Sequence, residues 1–256
     1  MAQFIFPLAL LCFGAILSSG LRTLSSAHHA VIHVSNSTTG LAQQHVQLAA
    51  SQLLLEHFVD PLAEFHDQFE DGGMSHEEQE FLASFYVDAD SVFESGIGSS
   101  TLIADHVNVT NVVGADSYEQ WVQNVNALVS DDYHMHWIDI GPVREYGKPA
   151  TDSPADNAMA QQWESYSLAP ETLGSDSDVF LVDGRFRVAT ACTALKIGHS
   201  GSTVLVHDFE RDEYQVLLDI ADVVAQVGKL VALQRKPSAT DEHINDMWQQ
   251  HKLNFH

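Results

Sequence analysis

From Ser91 onward, short apolar runs alternate with amphipathic stretches of helical spacing, and few folds accept that rhythm. Segments Ser91–Ser95, Thr110–Ala115, His134–Ile140, Asp178–Asp183, Thr203–Asp208 and Lys229–Gln234 read as strands. Between them, Ser99–His106, Ser117–Val129, Pro154–Leu168, Arg185–Ile197 and Asp212–Gln226 read as helices. Strands joined through helices must run mostly parallel, with helices covering both faces. The unbroken apolar run from Val179 to Val182 suits a strand buried on both sides. The expected fold is therefore α/β: a doubly wound, mostly parallel sheet of about six strands. Its 45% hydrophobic content can build one such core.

Sheets of this kind bind ligands beyond the carboxyl ends of their strands. Five of the expected strands end in, or run directly into, an acid: Glu94, Asp116, Asp139, Asp183 and Asp208. After the first, Glu94-Ser95-Gly96-Ile97-Gly98-Ser99-Ser100-Thr101 turns from strand to helix. A Gly-x-Gly alone says little; Glu94 at its mouth says more. A pyrophosphate on that helix N-terminus would be repelled by the carboxylate, whereas the sulfonium and ammonium of S-adenosylmethionine would be attracted. Gly96 and Gly98 would admit the cofactor close to the backbone, with Ser100 and Thr101 in the adjoining helical turn. Asp116 follows Glu94 by 22 positions, where an acid can take both ribose hydroxyls. Asp139 is placed to meet the adenine end. The chain has no Gly-Lys-Ser/Thr, which excludes a P-loop.

These residues resemble a known family. The run from Phe93 to Thr101 is similar to the first motif of class I, Rossmann-like, S-adenosylmethionine-dependent methyltransferases, and Val112-Val113-Gly114-Ala115-Asp116 to their second. Segments 138–142, 146–149 and Val182-Asp183-Gly184-Arg185-Phe186-Arg187-Val188-Ala189 resemble a poorly characterised branch marked by Asp-Gly-Arg-Phe-Arg. The resemblance covers residues 75–235 and implies methyl transfer to an acceptor. Two features depart from it. Ser100 stands where the common pattern has a third glycine, and only one strand is read after the last core helix instead of two.

Methyl transfer is an in-line displacement governed by positioning, with a base or metal needed only where the acceptor must lose a proton. Asp183 and Asp208 are candidates to hold Mg²⁺ or another divalent cation, as the resemblance to catechol O-methyltransferase-like enzymes implies. His207 is the alternative, as a general base; the plainer reading makes it a satisfied buried imidazole and Asp208 a helix cap. Arg185 and Arg187 suggest either an anionic substrate group or ion pairs with the strand-end acids. His134 and His136 share a strand face, and an ordinary exposed face explains them more simply than a metal. Arg144, Tyr146 and Trp163 are expected on the acceptor side.

Acidic residues outnumber basic ones 35 to 11, for a net charge of −24, which disfavours nucleic acid and anionic lipid surfaces. Residues 4–17 are nearly all apolar and lead to Ser18-Ser19-Gly20, as in a signal peptide or uncleaved anchor. The expected organisation is 1–20 signal peptide or anchor, 21–41 stem or transit-like segment, 42–74 helical region, 75–236 methyltransferase-like domain and 237–256 polar tail. That places the chain in the secretory pathway, with plastid import through a bipartite leader as the alternative. Asn36 and Asn108 begin glycosylation sequons. Cys12 lies in the apolar run, so a processed chain keeps only Cys192 and can form no intramolecular disulfide. The functional expectation is methyl transfer to a small-molecule or glycan-like acceptor. Two alternatives stand beside it: a catalytically silent binding protein on the same fold, and a nucleotide-sugar transferase, which the acidic strand ends disfavour.

Overall fold

A computed structural model of the chain describes Gln52, Leu55 and residues 73–256. The expected leader, the stem and most of the 42–74 helical segment lie outside the described residues. Gln52 and Leu55 are helical, and Leu55 is buried.

Helix α1 (His76–Tyr86) opens with a reciprocal cap: the Ser75 side chain accepts from the Glu78 amide, and Glu78 accepts from the Ser75 amide. There follow β1 (Ser91–Ser95), α2 (Ser99–His106), β2 (Asn111–Asp116), α3 (Glu119–Asn126) and β3 (His134–Trp137). Then come α4 (Asn157–Ser167), α5 (Ala169–Leu173), β4 (Val179–Val182), α6 (Arg187–Ile197) and β5 (Thr203–Val206). A 3₁₀ helix (Asp212–Asp219), the strands β6 (Ala221–Val227) and β7 (Leu230–Arg235), and α7 (Asp241–His251) complete the chain.

The sheet has the order β3-β2-β1-β4-β5-β7-β6. Strands β1 to β5 pair in parallel, and β7 pairs antiparallel with both β5 and β6. The chain reverses its direction of winding between β1 and β4, so the loops after those strands diverge and leave a crevice. Strand β4 is buried along its whole length, as its uninterrupted apolar sequence demands. One hydrophobic layer, including Phe93, Phe180 and Leu195, fills one face of the sheet; another, including Leu82, Ile103 and Leu205, fills the other.

Three expectations change. The segment 212–226 is not one helix: it breaks at Ile220, and Ala221–Val227 is the edge strand β6. Its apolar residues fit helical spacing, but β-branched Val223, Val224 and Val227 favour a strand once β7 offers an antiparallel partner. The two strands meet through Gly228-Lys229, with Gly228 in the left-handed region at φ +53°. The sheet therefore has seven strands and the supposed missing strand is present. Second, β3 stops at Trp137, so Asp139 lies beyond the strand. Third, the tail, read as polar and therefore peripheral, packs against the body. Helix α7 packs along α6 and buries Ile244 and Met247, and Phe255 sits edge-on to Trp163 with ring centroids 5.7 Å apart.

Candidate functional site

The loops after β1, β2, β3, β4 and β5 surround a cleft of about 620 Å³. Gly96 is the pivot of the first loop. Its φ of +84° suits glycine, and a Cβ there would fall 2.5 Å from the Gly184 amide nitrogen. The loops after β1 and β4 thus touch backbone to backbone, and a side chain would force them apart. Trp121 on α3 secures the turn from its other side, its indole N–H donating to the Ile97 carbonyl at 2.6 Å.

Glu94 does not face the cleft, contrary to its expected place on the rim. It is fully buried behind the glycine turn, where Tyr86 Oη donates to Oε1 at 2.7 Å and Thr101 Oγ1 donates to Oε2 at 2.5 Å. Thr101 Oγ1 in turn accepts the Gly98 amide at 3.1 Å. The carboxylate therefore shapes the turn from beneath, through Thr101. Burial pushes it up to about 7, against the opposing hydroxyl donors. The repulsion of a phosphate falls instead to Asp116 and Asp183, which both line the cleft.

Asp116 ends β2 with its carboxylate half-buried, accepting the Tyr118 amide at 2.9 Å on Oδ1. Burial raises it to about 6, with the Tyr118 amide and the Arg185 charge pulling the other way. Beside it, Ser117 Oγ donates to the Gly147 carbonyl at 2.8 Å and fixes the 142–150 loop over the cleft. Gly147 has φ +65°, and a Cβ there would strike Ser117 Oγ. This loop brings Arg144 and Tyr146 to the cleft. Trp163 is elsewhere: it is fully buried against Phe186 and Phe255 and donates to the Ile140 carbonyl, so it supports the floor without meeting a ligand. Asp139 is also outside the cleft's lining, its oxygens accepting the Gly141 amide and Gln162 Nε2.

On the far side of Gly96, Arg187 ties β4 to β5. Its guanidinium reaches Asp183 Oδ1 at 3.0 Å, Asp208 Oδ2 at 3.2 Å, the His207 carbonyl at 2.7 Å and the Gly184 carbonyl at 3.0 Å. Asp208 also accepts from Arg211 at 2.6 Å. Burial alone would raise the Asp183 carboxyl, but His207 and Arg187 beside it hold it well below the usual range. These contacts do not suit the metal expected at Asp183 and Asp208: an arginine already bridges the two carboxylates, and a dication would have to sit against it. Among the described residues, no cluster of three or more His, Cys, Asp or Glu is arranged to hold a metal ion.

His207 lines the cleft but is 5% exposed, with Nδ1 at 3.1 Å from Asp183 Oδ1 and Nε2 at 3.5 Å from Glu78 Oε2. Burial alone would lower its pKa; Asp183 outweighs that and raises it. An imidazole that faces carboxylates with both nitrogens and favours its protonated form is a poor proton acceptor. Nδ1 is held by Asp183, but Nε2 is buried without a hydrogen-bond partner among the described residues, so His207 is not the fully satisfied imidazole of the plainer reading either. His134 and His136 are exposed on β3, the open edge.

Gly96, Gly98, Ser100, Asp116, Asp183, Arg185, His207 and Asp208 thus converge on one cleft; Glu94 and Thr101 stand behind it, and Asp139 outside. Sequence reasoning missed Glu78, whose capping role hides a second one: its carboxylate also accepts the Lys229 amide at 2.6 Å. It missed Tyr86 as well, since nothing in a helical tyrosine signals a partner eight residues on.

A methyltransferase-like protein from Silicibacter pomeroyi DSS-3 shares this architecture with TM-score 0.62 and 25% identity, over 71% of this chain and 96% of the other. The fold is that of the Rossmann-like methyltransferases. A Staphylococcus aureus protein assigned as a caffeoyl-CoA O-methyltransferase aligns over 75% of this chain and 99% of its own, at 11% identity and TM-score 0.49. A TDP-rhamnose 3′-O-methyltransferase of calicheamicin biosynthesis aligns over 74% and 93%, at 12% and 0.39. Only the first is close enough to support the shared methyltransferase fold. No protein-family model matches the sequence, nor does any curated protein.

Proposed function

We propose that the chain binds S-adenosylmethionine and transfers its methyl group to an acceptor held beneath the 142–150 loop. One observation carries the reading: in a methyltransferase fold, the Gly96–Gly98 turn and the Asp116 carboxylate open onto the same cleft. The turn admits the cofactor against backbone, and Asp116 takes the ribose hydroxyls as an ionised acceptor above pH 6 or so. When bound, the cofactor supplies an electrophilic methyl on a sulfonium, which needs no metal activation. The chain's own part is to orient and to exclude water: Ser100 and Trp121 flank the turn, Asp183 is held ionised in the cleft lining, where it would favour a cationic cofactor, and Tyr146 lies on the loop over the cleft. A divalent cation forms no part of this proposal.

The test is calorimetric titration of the full chain with S-adenosylhomocysteine. Micromolar binding is expected, weakened at least tenfold in Asp116→Ala through loss of the paired hydroxyl contacts. Absence of binding by the wild-type chain would sink the reading. A second reading, a binder without turnover, is favoured by the Asp183 carboxylate at 3.1 Å from His207 Nδ1, which favours the protonated imidazole; it predicts the same binding and no methyl transfer.

Secretory targeting is likewise our proposal, resting on the apolar run 4–17. Asn108 is exposed in a turn at φ +61° before β2, where an oligosaccharide would meet no packed surface. Expressed in eukaryotic cells, the chain should shift in mass on treatment with peptide N-glycosidase. Among the described residues no helix is long and apolar enough to cross a membrane.

A further inference from the structure

The cleft reverses the charge balance of the molecule. Acids outnumber bases about threefold in the chain as a whole, yet five of its 11 Lys and Arg residues line this cleft beside four carboxylates. Most of these cations are engaged by the protein itself. Arg187 bridges Asp183 and Asp208, Arg211 binds Asp208, Arg144 pairs with Asp152 at 3.3 Å, and Lys148 lies over the Tyr146 ring.

Arg185 differs. Among the described residues its guanidinium makes no hydrogen bond, and no carboxylate lies within ion-pairing distance; Asp116 and Asp183 act on it only through their fields. It is nonetheless half-buried and close enough to Arg187 to feel its repulsion. A cation partly removed from water, beside a like charge and without a contacting anion, is destabilising unless a ligand supplies the anion. Two positions before it stands Asp183, whose contacts to Arg187 and His207 both fall on Oδ1, so that Oδ2 takes part in neither. The planar fork of an arginine matches a carboxylate in two parallel hydrogen bonds.

We propose that Arg185 is the carboxylate-binding residue of the cleft. The inference rests on the cofactor reading above. The carboxylate has two sources, the amino-acid end of the cofactor or the acceptor itself, and the two are separable.

The experiment titrates the full chain and its Arg185→Gln and Arg185→Lys variants with S-adenosylhomocysteine and with methylthioadenosine, which lacks the amino-acid end. If the cofactor supplies the carboxylate, Arg185→Gln binds S-adenosylhomocysteine about tenfold to a hundredfold more weakly and methylthioadenosine unchanged, with partial rescue by Arg185→Lys. If the acceptor supplies it, both adenosine ligands bind the variant as they bind wild type. The wild-type chain loaded with S-adenosylhomocysteine then binds benzoate but not benzamide, and Arg185→Gln binds neither. Equal weakening of both adenosine ligands, or unchanged benzoate binding alongside unchanged adenosine binding, overturns the inference. Binding of neither adenosine ligand by the wild-type chain is the separate failure of the cofactor reading; benzoate against benzamide on the unloaded chain then decides for Arg185 alone. Since Arg185 forms no ion pair, the variants should melt within a few degrees of wild type.

Discussion

Glu94 shows how a residue can be important to a site without entering it. Its chain of bonds through Thr101 to the Gly98 amide ties the conformation of the turn to a carboxylate in the core. The position has a measurable signature in pH. In the unfolded chain the carboxyl titrates near 4.5, and in the folded protein near 7. Between those values the unfolded chain releases a proton that the folded protein keeps, so stability present below pH 4.5 is lost as the pH rises through 7. The melting temperature of wild type should therefore fall relative to Glu94→Gln between pH 4.5 and 7.5, by a few kcal/mol of stability at most. A difference independent of pH would mean that the carboxylate is ionised throughout. Asp116 contributes in the same direction between about 3.8 and 6 in both proteins and cancels from the comparison. Backbone strain also gathers near the cleft: Tyr146, Phe186 and Asp208 all have positive φ, at 58°, 54° and 58°, which non-glycine residues hold only where surrounding packing imposes it.

Between elements, Arg187 is the principal tie. It begins α6, bridges the acids that follow β4 and β5, and lies with Arg211 against the Tyr214 ring, each 5.8 Å from its centroid. Replacing it with Met would keep the aliphatic stem and leave Asp183 and Asp208 facing each other without their shared cation. Arg187→Met should lower unfolding free energy by about 3–5 kcal/mol, measured by urea denaturation. A loss below 1 kcal/mol would show that solvent already screens these carboxylates. The β6–β7 hairpin is an element that local pattern misreads. Tyr214 and Leu217 are buried as a helical face would have them, yet Val224, which helical spacing would put on the same face, is 42% exposed on the edge strand. Helical and extended periodicities overlap over so short a run, and pairing with β7 decides between them.

Across the whole molecule, the last residues close the structure. Phe255 is 2% exposed and joins Trp163, Tyr166 and Phe186 in a small apolar cluster under the cleft. Tyr166 reaches from that cluster to the site, its hydroxyl accepting the Arg185 amide at 3.3 Å. Phe255→Ala should cost about 3 kcal/mol or more, read as a lower denaturation midpoint, because the cavity would open among large, rigid neighbours. Unchanged stability would return the tail to the surface role that its polar composition suggests. The α/β alternation, the parallel pairing and the positions of the strand-end acids were legible in the chain itself, since hydrophobic period and strand ends are local properties. Which acids reach the ligand was not. Glu94 turns inward, Asp139 turns aside, and Asp183 and Asp208 are held by Arg187, because side-chain direction and partner depend on neighbours distant in sequence. Local pattern determines the layers; three-dimensional contact assigns the charges their partners, and among the described residues it gives Arg185 no contacting anion.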